Sequence, residues 1–179
     1  NVAKSIDVIV SALPSISEWK SGSGNWGVAA NWTGAIPSGA DAIAKFAGAG
    51  SPPATVSLDS ARTVGRLVFD NAASYTIGGP NTLTIDTTGA GGRIDLVTGN
   101  HIIAAPLSLQ KSTILTGGGG LSLNGAVTTA AGKSLLKNNT GALNIGGSTS
   151  LGGDLVQLAG STNVNGGSSL AVGGAYSLF

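Results

Sequence analysis

The chain has 179 residues, 30 of them glycine, and only 9% are charged, against roughly 25% in an average soluble domain. Nine basic and eight acidic side chains leave a formal charge of +1, too weak a field to favour nucleic acid or an anionic membrane surface. The absence of Cys excludes a disulfide scaffold, a thiolate metal centre and a thiol nucleophile, and no apolar run approaches the roughly 18 to 20 residues of a membrane-spanning helix.

Residues 1–17 read as an extended apolar arm. The segment Ile6–Leu13 lacks the basic start and small-residue cleavage site of a signal peptide, so a secreted precursor is expected to have lost its signal already. In an extended chain Ile6, Val8, Val10 and Ala12 share one face, with Asp7, Ile9, Ser11 and Leu13 on the other. The arm has no obvious partner in its own fold, and a free apolar strand is an aggregation hazard. Ile6, Val8, Ile9, Val10 and Leu13 are therefore the candidate residues of a strand donated to a neighbouring subunit. Head-to-tail exchange of this kind does not close, and produces a homopolymeric filament.

Residues 18–54 form a lead-in that carries all three tryptophans, Trp19, Trp26 and Trp32. Two roles are open to them: a cap over the end of a core, or an aromatic platform on which a glycan stacks.

From residue 55 to 179 the sequence repeats a short apolar-x-apolar unit closed by Gly, Asn, Asp or Thr. Examples are Leu67/Phe69, Tyr75/Ile77, Leu83/Ile85, Leu107/Leu109, Leu121/Leu123 and Leu143/Ile145. Glycine doublets such as Gly146-Gly147 and Gly173-Gly174 separate the units, and the run Gly117–Gly120 reads as a corner rather than a phosphate loop. Strands this short must stack on copies of themselves. The fold class expected is all-β, a parallel β-helix or β-solenoid of about five to seven coils, each of roughly 20 to 27 residues. A β-sandwich is the alternative, disfavoured because its strands usually run to about five or six residues.

The stretch Lys137-Asn-Asn-Thr-Gly-Ala-Leu-Asn-Ile-Gly-Gly, with Leu151-Gly-Gly-Asp-Leu-Val and Val164-Asn-Gly-Gly-Ser-Ser-Leu, resembles the autotransporter-associated β-strand repeat. The lead-in, with Asn25-Trp26, Ala30-Asn31-Trp32 and Val64-Gly-Arg-Leu-Val-Phe-Asp70, is similar to the start of large secreted proteins that carry those repeats. The resemblance implies a right-handed parallel β-helix displayed outside the cell, with roles in surface display or adhesion. Passenger domains of that kind usually hold many more repeats, followed by a membrane barrel for which this chain has no room.

Candidate chemistry is sparse. Asp59, Asp70, Asp86 and Asp95, with Arg66 and Arg93, are the only residues from which a polysaccharide-acting site could be built, and each Asp is placed where it could close a turn instead. Three or more acidic residues converging with Arg66 or Arg93 would point to an enzyme. His101, the sole histidine, is expected in a loop or on the coil surface. No cofactor motif is present, and the single Gly152-Gly-Asp154 is too little for a calcium-binding nonapeptide array. The expectation is a non-enzymatic extracellular structural protein that self-associates. A monomeric adhesin for a glycan or host surface is the alternative.

Overall fold

The computed structural model describes residues 14–48, 53–89 and 91–179. Short strands stack as three parallel sheets, and among the described residues the only helical turn is the three-residue Ala29–Asn31. The first sheet holds eight strands: Ile16–Glu18, Ile43–Phe46, Arg66–Asp70, Gly92–Thr98, Thr113–Gly117, Leu135–Asn139, Leu155–Gln157 and Tyr176–Leu178. The second holds seven: Gly24–Asn25, Ala54–Ser57, Tyr75–Gly78, Asn100–Ile103, Gly120–Leu123, Ala142–Ile145 and Ser161–Val164. The third holds six: Arg62–Val64, Leu83–Ile85, Leu107–Leu109, Val127–Thr129, Ser148–Leu151 and Ser169–Val172. The chain visits the three sheets in turn and then climbs, giving a three-sided β-solenoid of about six coils.

Register fixes the coil length. In the first sheet Ile43 pairs with Arg66, Arg66 with Arg93, Arg93 with Ile114, Ile114 with Leu136, and Leu136 with Val156, so partners lie 20 to 27 positions apart. Because side chains alternate across a strand, an in-register stack aligns like with like. Inside the second sheet Val56, Ile77, Ile103, Leu123 and Ile145 form one continuous ladder. Leu83, Leu107 and Val127 do the same in the third. These ladders are the core, and every one of those residues is buried.

Corners demand glycine where coils crowd. Gly117 ends a strand with φ +105, and a Cβ there would sit 2.1 Å from the Leu96 carbonyl oxygen of the coil below. The Gly117–Gly120 run is therefore a corner, as the sequence reading expects.

The coils start earlier than the repeat pattern suggests. Ile16–Glu18, across the boundary between arm and lead-in, and Ile43–Phe46 and Ala54–Ser57, in or across the end of the lead-in, already belong to the same ladders. The remainder of residues 18–37 folds across the end of the stack: the Thr33 amide donates to the Glu18 carbonyl, the Lys20 amide to that of Asn31, and the Gly34 amide to the Ser17 hydroxyl.

Truncating a ladder residue leaves a void that the stacked backbone cannot close. Leu121→Ala, whose side chain is buried between His101 and Leu143, is expected to lower stability by about 2–5 kcal/mol in denaturant unfolding.

Candidate functional site

The candidate donated strand, Ile6, Val8, Ile9, Val10 and Leu13, lies outside the described residues. The three tryptophans lie within them and are buried, at 0% exposure for Trp19 and Trp26 and 2% for Trp32, so no indole face is open to a sugar ring. The glycan-platform reading does not hold, because the rings fill the end of the core and pack on one another. Trp32 lies edge-on to Trp19 at 5.0 Å and to Trp26 at 4.9 Å, and all three meet Phe46. Each indole N–H finds a carbonyl: Trp19 donates to Gly22, Trp26 to Pro37 and Trp32 to Trp26. Asp59 fastens this cap to the first coils by accepting the Gly27 amide with both carboxylate oxygens while pairing with Arg62. Burial would raise the Asp59 pKa, but Arg62 and the Gly27 amide outweigh it and hold it below the usual carboxylate range.

The aromatic column continues from the cap into the stack and ends on His101. Phe46 stacks on Phe69 at 5.2 Å, and Phe69 on the imidazole at 4.6 Å. His101 is thus an inward core residue in a strand, not the loop or surface residue expected from sequence. Its Nδ1 accepts the Tyr75 amide and its Nε2 lies 2.8 Å from the Thr98 carbonyl, so the ring is the neutral tautomer protonated at Nε2. Burial lowers its pKa, and the Thr98 carbonyl only partly opposes that.

Lys137 is also inward, on the column of Leu115 and Gln157, and is fully buried. Its ammonium donates to three carbonyls, those of Asn139, Gly141 and Ala159, at 2.7–2.8 Å, which uses all three of its protons. Burial lowers its pKa. The side chain ties the corner of its own coil to the next one.

On the outer face of the first sheet Asp95 is buried beneath two arginines. It pairs with Arg66 from the coil below and with Arg93 on its own strand, and accepts the Thr116 hydroxyl from the coil above at 2.6 Å. Burial would raise its pKa, but Thr116, Arg93 and Arg66 together hold it below the usual range. Asp95 is therefore a strand residue linking three coils, not a turn-closing one. It is the one carboxylate joined to Arg66 and Arg93 among the described residues, so three acidic groups do not converge there. Asp86 does close a local turn through the Thr87 amide.

Above the arginines the same face turns aliphatic. Ile114, Leu136 and Val156 stand outward on successive coils, half-buried beside a corner of small residues, Ser112 and Ser134 among them. Together they line a groove of about 630 Å³ along the solenoid axis. A second depression of about 240 Å³ shares Gly91 and Arg93 with it and runs down past Arg66 and Ile43 to Pro14. The sequence reading missed this surface, because each outward aliphatic is adjacent to an inward one and the pair reads simply as core.

Sign and position of the His101 titration make it testable. A group whose folded pKa is depressed adds stability that is fully present above its unfolded value of about 6.5 and is lost as pH falls through the folded value. Denaturant midpoints are expected to fall between pH 7.5 and 5, with a flatter dependence in His101→Phe.

Comparison with protein-family models, curated proteins and solved structures returns no match to this chain.

Proposed function

We propose that the chain is an extracellular structural protein, a rigid rod that takes its place in a filament or surface assembly by end-on stacking of coils. The observation that carries this reading is a stack of coils capped on one side and left with unpaired strand edges on the other side of the described residues. At one end the tryptophan cap covers the core. At the other, Ser161–Val164, Ser169–Val172 and Tyr176–Leu178 are the outermost strands of their sheets, each with one edge unpaired. Val164, Tyr176 and Leu178 are 48%, 49% and 63% exposed there, on columns whose residues in the middle coils, such as Ile145, Leu155 and Lys137, are buried. Unpaired edges with apolar side chains are templates for further β-structure, either later coils of the same chain or a second molecule, and the assembly reading takes the second molecule. The low charge, the Ser/Thr/Asn-rich coils and the resemblance to the autotransporter-associated repeat support placement outside the cell.

The test is sedimentation velocity with negative-stain electron microscopy on the intact chain and on a Val164→Lys, Leu178→Lys double variant. End-joined rods from the intact chain, dispersed to single rods by the two charges, are the expected result. Single rods of one length from the intact chain at tens of micromolar would overturn the assembly reading and leave a monomeric adhesin for a glycan or host surface.

A further inference from the structure

The sequence contains two Asn-Gly pairs, Asn124-Gly125 and Asn165-Gly166, and both lie at the corner between the second and third sheets, two coils apart. The corners differ in length: 124–126 has three residues and 146–147, in the coil between, has two, whereas 165–168 has four. Asn165 and Gly166 are exposed, and a Cβ placed on Gly166 or Gly167 would meet no atom within 4 Å. Gly167, at φ +82, turns the chain, and the Ser168 amide donates to the Asn165 carbonyl across the turn. Among the described residues no hydrogen bond engages the Gly166 amide or the Asn165 carboxamide. We propose that Asn165 is a site of spontaneous covalent modification, converting through a cyclic imide to aspartate and isoaspartate, and that the fold withholds Asn124 from the same reaction.

The Gly166 amide nitrogen, after giving up its proton to base, attacks Cγ of Asn165. The bond from Cγ to Nδ2 breaks, and that nitrogen leaves as ammonia. Water then opens the imide: breaking the ring bond at Cγ leaves aspartate, and breaking the one at the main-chain carbonyl leaves isoaspartate, whose backbone runs through Cβ and Cγ. One water is consumed and one ammonia released, with no change of oxidation state. Glycine favours the step twice, since it puts no Cβ beside the attacking nitrogen and its torsional freedom lets the turn rearrange.

At Asn124 the same atoms are held. Its own amide and that of Gly125 both donate to the Ile103 carbonyl, at 2.9 and 3.3 Å. Gly125 is wedged between coils: a Cβ on it would lie 2.3 Å from the Ala105 carbonyl oxygen, and one on Gly147 in the coil above would lie 2.4 Å from the Gly125 carbonyl oxygen. Ring closure there requires the corner to leave its neighbours, so it proceeds only through local opening of the stack. Conversion at Asn165 puts a carboxylate next to Val164 and cancels the chain's formal charge of +1. Isoaspartate also lengthens the corner by one main-chain carbon ahead of Ser169–Val172. The modification does not depend on the assembly proposed above.

The test is peptide-mapping mass spectrometry of the chain held at mildly alkaline pH and high dilution, with isoaspartate separated from aspartate by chromatography. Conversion at Asn165 is expected to run at least about tenfold faster than at Asn124 in the folded chain, and the two rates to converge in guanidinium. Gly166→Ala, whose added Cβ meets nothing and whose φ lies outside the left-handed region, keeps the fold and is expected to slow conversion at Asn165 severalfold. Equal rates at the two sites in the folded chain, conversion at Asn165 only after unfolding, or a rate unchanged by Gly166→Ala would overturn the inference.

Discussion

The in-register parallel ladder between successive coils is the interaction on which the rest of the structure depends. Among the described residues the strands of each sheet pair only with strands of neighbouring coils, and each sheet runs through consecutive coils in order. A three- or four-residue strand has too little apolar area to persist alone, so every coil borrows its stability from the one below and the one above. One consequence follows directly: the coil nearest the N-terminus needs something other than a coil beneath it, which the tryptophans supply.

Inside this narrow coil, the two buried ionisable side chains that point inward are served by the backbone. Lys137 fills three carbonyls and His101 bridges an amide and a carbonyl, so neither leaves a donor stranded. Asp95 does the corresponding work outside, where Arg66, Arg93 and Thr116 bring three coils to one carboxylate. The ionisable groups that look most like chemistry in the sequence are, in the fold, ties between coils.

Legibility in the sequence tracked the inward positions. Where both were aliphatic, as in Leu83/Ile85, Leu107/Leu109 and Leu143/Ile145, the strand and its buried face could be read directly, and with them the solenoid. Where one was polar the strand vanished: His101 hid Asn100–Ile103, Thr113 hid Thr113–Gly117, and Lys137 with Asn139 hid Leu135–Asn139. In Leu155–Gln157 the inward residue is Leu155 and its aliphatic neighbour Val156 faces out, since a shift of one position exchanges the faces. The groove was lost for the same reason, and the Arg66–Asp95 pairing because the 27-position step between Arg66 and Arg93 is longer than any later step in the first sheet.

Native-state hydrogen exchange, read strand by strand, tests most directly whether stability is handed from coil to coil. Protection should be highest near Phe69 and Ile94, beside the cap, and fall steadily toward Ser161–Val164 and Tyr176–Leu178. One common opening free energy for all coils, or greatest protection at the open edge, would contradict the account.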